Sequence, residues 1–379
     1  MPDLKSFFAP PTAEQGAAQQ VTEDGDEVTS DPKHLATLLG TDDETARRVL
    51  HYVEGIEEYQ PRLRVLQDTL PDLGLEGFTD TVLEWLKAIL DFLKDVMEDY
   101  IQEMGAAELS ADWLRSESEN LLIMSRERKT LQTGNLEITS RVANLSLRYR
   151  PVKDIGSLIL ALRVNEQVCR GYYKYADQVL GQGVSGLTAI GRNGGNAEVL
   201  AQGMLDKSPR VLIGTLLKPL NDQNNAWGSA PLLGNQRLVL VSPDADSAQQ
   251  SVKQTRLRIR TSEVIPQASV AKFNLPAFNL QQSDVCLKQI ITMADVLLSH
   301  NKGETRSRRR QRLQDIAKAI EAIMAKVAAG DESQAAALKQ TAALLETLAD
   351  WLVDPFMELY KLTCRNMRAA LNVCDLNAQ

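Results

Sequence analysis

Arg256, Arg258 and Arg260 alternate with Leu257 and Ile259, a spacing that on a β-strand sets three guanidinium groups on one face and the apolar pair on the other. Such a row can grip phosphates or a carboxylate-rich partner, because guanidinium groups bind both through paired, charge-assisted hydrogen bonds. It is also what an edge strand uses to refuse unwanted pairing. A second basic group, Arg306, Arg308, Arg309, Arg310 and Arg312, opens a predicted helix after Lys302-Gly303. Cations crowded there oppose the positive end of the helix dipole unless an anion or acidic neighbours compensate them. Arg308, Arg309 and Arg310 are expected to be exposed. The two groups together are the candidate polyanion-binding surface, with nucleic acid, an acidic protein surface, plain solvation and the chain's own acidic arm left open as partners.

Other chemistry finds less support. Gly181-Gln-Gly183-Val-Ser-Gly186 matches G-x-G-x-x-G, whose glycines in a dinucleotide enzyme let the backbone approach a pyrophosphate at a helix N-terminus. The preceding residues, Tyr172 to Gln178, read as helix and not as the buried strand that motif requires. Gly181 to Gly195 is therefore expected to be a flexible surface loop, and no cofactor is implied. His34, His51 and His300 stand far from any cysteine or paired carboxylate at ligand spacing, so no metal site is read. Ser185 does not sit in a G-x-S-x-G elbow. The acid pairs Glu57-Glu58 and Asp42-Asp43 read as solvated helix surface. No catalytic residue can be named, and a non-enzymatic role is the expectation.

The elements that would position these groups follow from composition and period. The chain has 379 residues, 44% hydrophobic but only 5% aromatic, with a net charge of −8. A core of Leu, Ile, Val, Ala and Met suits helix packing, and the negative balance argues against a protein that coats nucleic acid over its whole surface. Four scattered cysteines without a C-x-x-C pair read as reduced thiols of a protein made in a cytoplasm. No apolar run approaches the roughly 18–20 residues needed to cross a bilayer.

The expected fold is mostly α, an elongated helical body with a small antiparallel β module inserted at about 206–278. Residues 1–31, with Glu14, Glu23, Asp24, Asp26, Glu27 and Asp31 against Lys5, form a disordered acidic arm. Residues 32–108 are a helical N-terminal region, beginning at Asp31-Pro32 with Pro32 at the first helical position. Its strongest helix starts at Thr79, with Val82, Leu86, Ile89, Leu93, Val96 and Tyr100 on one face and Glu84, Lys87, Asp91, Lys94, Asp95, Glu98 and Asp99 on the wet one. Ala106-Ala107-Glu108 reads as a connector after Gly105, followed by helix from Ser110 through about Ser140. Residues 109–205 continue the helical body. The module holds candidate strands Arg210–Thr215, Arg237–Val241, Thr255–Thr261 and Ala268–Asn274. Residues 279–379 return to helix: Gln281–His300, Thr305–Ala328, a turn at Gly330-Asp331, and a closing helix expected to bend at Asp354-Pro355.

This layout resembles the internal head, or inner-body, proteins of giant phiKZ-like phages: a propeptide, a helical body, and a small β insertion whose Leu232-Leu233-Gly234-Asn235-Gln236-Arg237-Leu238 looks like a Gly-Asn turn leading into a strand. The likeness covers most of residues 109–379, and its motifs are short. It implies a virion protein in the head interior, beside other virion proteins and packaged DNA. A precursor would be cut by a prohead protease after glutamate in a small-x-Glu context. Ala106-Ala107-Glu108 fits that pattern, as do Ser125-Arg126-Glu127 and Ala319-Ile320-Glu321, the last two within predicted helices. A helical adaptor or translocated effector, binding a protein through a sheet edge or the arm, is the alternative.

Overall fold

The computed structural model describes residues 32–54, 78–128, 131–193, 196–220, 225–262, 270–329 and 332–379. The acidic arm, the Asp31 cap, Glu57-Glu58 and the Gly330-Asp331 turn lie outside these residues. Two compact units divide the chain, Met1–Ala46 and Arg47–Gln379. The first contains α1 (Pro32–Leu39) and the start of α2 (Asp43–Glu54). Asp42 caps α2 by accepting the Thr45 N–H at 2.8 Å.

The second unit is mostly helical with a small antiparallel sheet, as expected. Its first helix in full, α3 (Phe78–Arg128), has 51 residues, about 75 Å at 1.5 Å per residue. Val82, Leu86, Ile89, Leu93 and Tyr100 are buried along one stripe, and all seven charged residues assigned to the wet face are exposed. The expected connector at Ala106-Ala107-Glu108 is absent: those residues lie inside α3. Alanine is the best helix former, so two alanines offset the cost of Gly105, about 1 kcal/mol. Ala106, Ala107, Ser110 and Ala111 are fully buried, so this small-residue run is where other helices close on α3. The region boundary at residue 108 disappears with it, and the helix stops at Arg128 instead of running on to Ser140.

β1 (Asn135–Ile138) follows, and it pairs with β8 (Phe273–Pro276). β8 replaces the strand expected at Ala268–Asn274. A two-residue hairpin joins β2 (Ser146–Leu147) to β3 (Arg150–Pro151). Then come α4 (Ile155–Tyr175), a π-helical turn at Ala176–Leu180, α5 (Gly181–Arg192) and α6 (Ala197–Leu205). The glycine-rich stretch is therefore mostly helix. Its glycines serve close packing: a Cβ on Gly191 would stand 2.9 Å from Leu345, and one on Gly183 would stand 3.0 Å from Lys207.

The sheet module has the order β4-β5-β6-β7 and is antiparallel throughout. Its strands are β4 (Lys218–Pro219), β5 (Ala226–Gly228), β6 (Gln236–Val241) and β7 (Arg256–Thr261). The short helix α7 (Ala248–Gln254) links β6 to β7. Leu238, Val239, Leu240 and Val241 are all buried, so β6 is covered on both faces, as a continuous apolar run requires. Arg210–Thr215 is not a strand. Pro209 opens a 3₁₀ turn, Pro209–Leu212, because its fixed φ and missing N–H suit a first turn better than a ladder.

Three long helices close the unit: α8 (Leu280–Asn301), α9 (Gly303–Ala328) and α10 (Glu332–Ala378). Asn279 and Gln282 form a reciprocal capping box on α8, satisfying two otherwise orphaned N–H groups. Ion pairs Arg115–Asp295 at 2.9 Å and Arg126–Asp284 at 2.5 Å set α8 antiparallel to α3. α10 carries the heart of the core, Trp351, Phe356 and Tyr360, each at most 1% exposed. It continues unbroken through Pro355. All four cysteines are buried thiols.

Candidate functional site

β7 lies against α10, and there the first arginine group meets its partner. Glu346, Asp350, Asp354 and Glu358 recur every four residues along α10, which places them on one face about 6 Å apart. Arginines at alternate positions of a strand repeat at about 6.7 Å, so the two ladders stay nearly in phase. Arg258 Nη2 donates to Asp350 Oδ1 at 2.8 Å and Oδ2 at 2.9 Å, and stands 3.1 Å from Asp354 Oδ2. Arg258 Nη1 donates to the Leu257 carbonyl at 3.0 Å, and Glu358 Oε2 accepts the Ile259 N–H at 3.1 Å. Glu346, further up the ladder, feels the charges of Arg256 and Lys253.

Burial controls the electrostatics of this face. It opposes the Arg258 charge, but Asp350, Asp354 and Glu358 more than compensate and hold the pKa above the usual arginine value. Asp354 is pushed up to about 8 by burial, with repulsion from Asp350 and Glu358 adding to it and Arg258 working the other way. Burial, reinforced by Asp350, likewise raises Glu346 to about 7. Arg258 thus stands between Asp350 and Asp354, and burial favours the protonated form of Asp354. Arg256, Arg258 and Arg260 are all half-buried, so the row does not present an open face to a phosphate backbone.

The start of α9 distributes its arginines differently. Arg306 Nη1 donates to Glu108 Oε2 at 2.9 Å; the supposed processing residue and a supposed polyanion-binding residue are thus partners. Arg309, expected at the surface, is 5% exposed. Its guanidinium bonds Asp177 and lies 3.8 Å from the centre of the Phe356 ring. Asp177, carried on the π-turn, also takes His300 Nδ1 at 2.5 Å. Arg312 bonds Ser185 and stands 3.5 Å from Asp315. Arg308 and Arg310 are exposed. The acidic neighbours needed beside a basic helix start are therefore Glu108, Asp177 and Asp315.

The G-x-G-x-x-G letters begin a helix that continues directly from the π-turn, so no separate helix N-terminus is presented to a pyrophosphate. Beside that turn lies an apolar depression of about 630 Å³ lined by Val168, Gly171, Tyr175, Val179, Leu212 and Leu216, with Lys174, Gln167 and Gln178 as polar rim. Among the described residues, no group of three or more His, Cys, Asp or Glu is placed to hold a metal ion. None of their helices is long and apolar enough to cross a membrane.

The sequence pointed to the arginines and missed the residues that answer them. The i+4 carboxylate ladder on α10 was available as a signal. Asp177 and Glu108 were not, because their partners stand more than a hundred positions away. Comparison with protein-family models, with curated proteins and with solved structures finds no match.

Proposed function

We propose that this chain is a non-enzymatic structural protein of a phage head interior, of the kind its sequence resembles in the inner-body proteins of giant phiKZ-like phages. One observation carries the non-enzymatic reading: the side chains best suited to chemistry are spent on one another, fastening the sheet module to α10 and α9 to α3. They do not converge on a cavity. The partners of such a protein are other virion proteins and packaged DNA.

Processing after Glu108 does not fit the folded chain. A protease binds an extended segment, whereas this bond lies within α3 beside two fully buried alanines. A prohead protease cutting there would have to act before α3 forms. The adaptor reading loses its sheet-edge route as well. β4 is two residues long and ends in Pro219, and the other edge, β7, has its Ile259 N–H taken by Glu358. Short, Pro-blocked or covered edges resist strand addition.

The test is fractionation of a culture that makes the protein naturally. The chain should sediment with intact particles, resist added protease there, and become digestible once heads are opened by osmotic shock. Recovery of the whole pool as soluble protein, outside any particle, would overturn the reading and favour the adaptor.

A further inference from the structure

We propose that the β2–β3 hairpin is a nucleic-acid contact, in which Arg148, Arg150 and Lys153 bind the phosphate backbone of duplex DNA. The proposal deepens the head-interior reading and rests on it for the identity of the polymer.

Between Arg141 and Lys153 the sequence has four cations and no acid, a local excess in a chain whose net charge is −8. Arg148, Arg150 and Lys153 are all exposed. They differ in this from Arg258, half-buried beside the buried Asp350 and Asp354, and from Arg309, itself buried beside the half-buried Asp177.

Turn chemistry supplies the second argument. Ser146 pairs with Pro151 and Leu147 with Arg150, leaving Arg148-Tyr149 as a two-residue loop with φ of 50° and 61°. Such a loop favours Asn-Gly, since only glycine and, to a lesser degree, asparagine enter the left-handed region readily. Arg-Tyr is a costly choice, and the surrounding structure compensates for it. The Tyr149 N–H donates to Asn235 Oδ1 at 2.6 Å, and the N–H groups of Gly234 and Asn235 donate to the Ser146 carbonyl at 3.1 and 3.3 Å. Asn235 is itself left-handed, with a φ of 59°, and a Cβ at Gly234 would stand 2.9 Å from Leu362 on α10. Strain so firmly held at an exposed tip fixes where Arg148 and Arg150 stand on the surface. A narrow two-stranded tip bearing guanidinium groups can follow a DNA groove and reach the phosphates beside it.

The experiment uses the full chain and a short fluorescein-labelled duplex of mixed sequence, read by anisotropy. Three phosphate contacts predict an affinity loss of about 40-fold between about 50 and 200 mM salt. The variant R148N/R150Q/K153Q should keep its melting temperature, because asparagine suits the left-handed position. It should lose at least tenfold in affinity at low salt, with a shallower salt slope. The control R308Q/R310Q, on α9, should stay within about twofold of wild type. Absence of binding at low salt, equal binding by the hairpin variant, or an equal loss in the α9 control would overturn the assignment. So would polyglutamate competing as well as unlabelled duplex at equal charge concentration, which would indicate an acidic protein surface. Particle fractionation can succeed whichever way this binding falls, so the two readings fail separately.

Discussion

Two arginine-rich segments of this molecule, β7 and the start of α9, face inward to different degrees, and the repeat of the backbone accounts for the difference. On β7 the period is two, so Arg256, Arg258 and Arg260 share one face, and an acidic helix takes Arg258 at its centre through Asp350 and Asp354. On α9 the period is 3.6 residues, so five arginines fan around the axis. Arg306, Arg309 and Arg312, three apart, turn toward Glu108, Asp177 and Ser185, while Arg308 and Arg310 remain in water. The same residue type is therefore kept half-buried on one face in one segment and divided between inside and outside in the other. Charge clusters in a sequence should be read through the period of their element before a ligand is assigned to them.

The comparison breaks most easily at Arg258. Arg258→Ala would leave Asp350 without its bidentate partner in a buried site, which typically costs about 3–5 kcal/mol. Urea denaturation should show that loss, and a change below about 1 kcal/mol would mean the row faces solvent after all. The second effect is on pH. Glu346 and Asp354 bind protons more tightly folded than unfolded, so the stability they contribute is full below the ordinary carboxylate range near pH 4 and is lost as pH rises through about 7 and 8. Unfolding free energy should fall by roughly 4 kcal/mol between pH 6 and pH 9. Asp354→Asn, which imitates the protonated carboxyl, should remove much of that slope; an unchanged profile would locate the titration elsewhere.

On α9 the expected effects are smaller. Arg309→Met would strip Asp177 of one partner but leave it His300, for a loss of about 2 kcal/mol in thermal or chemical unfolding. Arg308→Gln with Arg310→Gln should move stability by no more than about 0.5 kcal/mol. If that pair cost as much as Arg309→Met, the inward and outward division of the arginines would be wrong.

How much of this was legible in the sequence depended on the range of the interaction involved. The Val82 to Tyr100 stripe of α3, the α8 and α9 spans and the cores of β6 and β7 followed from local period. The reading failed where composition imitated a break. Gly105-Ala106-Ala107 and the glycines after Leu180 looked like loop, yet small residues are also what lets helices pack closely, as Gly191 does against Leu345. β1 was missed because its partner, β8, lies more than 130 residues away, and a four-residue strand has little local signature. The candidate site failed in a third way. Residue types and face were read correctly for β7, but which surface covers that face is a tertiary fact that strand periodicity does not contain.

The last turn of α10 ties distant parts of the second unit together. Asn377 accepts the Phe278 N–H through Oδ1 and donates to the Phe278 carbonyl through Nδ2, both at 3.0 Å, while its own carbonyl accepts the Gln132 N–H at 3.0 Å. That places the closing knot of the core on the segment a ribosome makes last among the described elements. At about 5–20 residues per second, the 47 residues of α10 take roughly 2–10 s to appear. During that interval the surfaces awaiting Trp351, Phe356 and Tyr360 are open to water and to neighbouring nascent chains. Folding of this unit is therefore completed only once α10 has been made, so a product ending short of α10 would meet the cell as a substrate for chaperones and proteases.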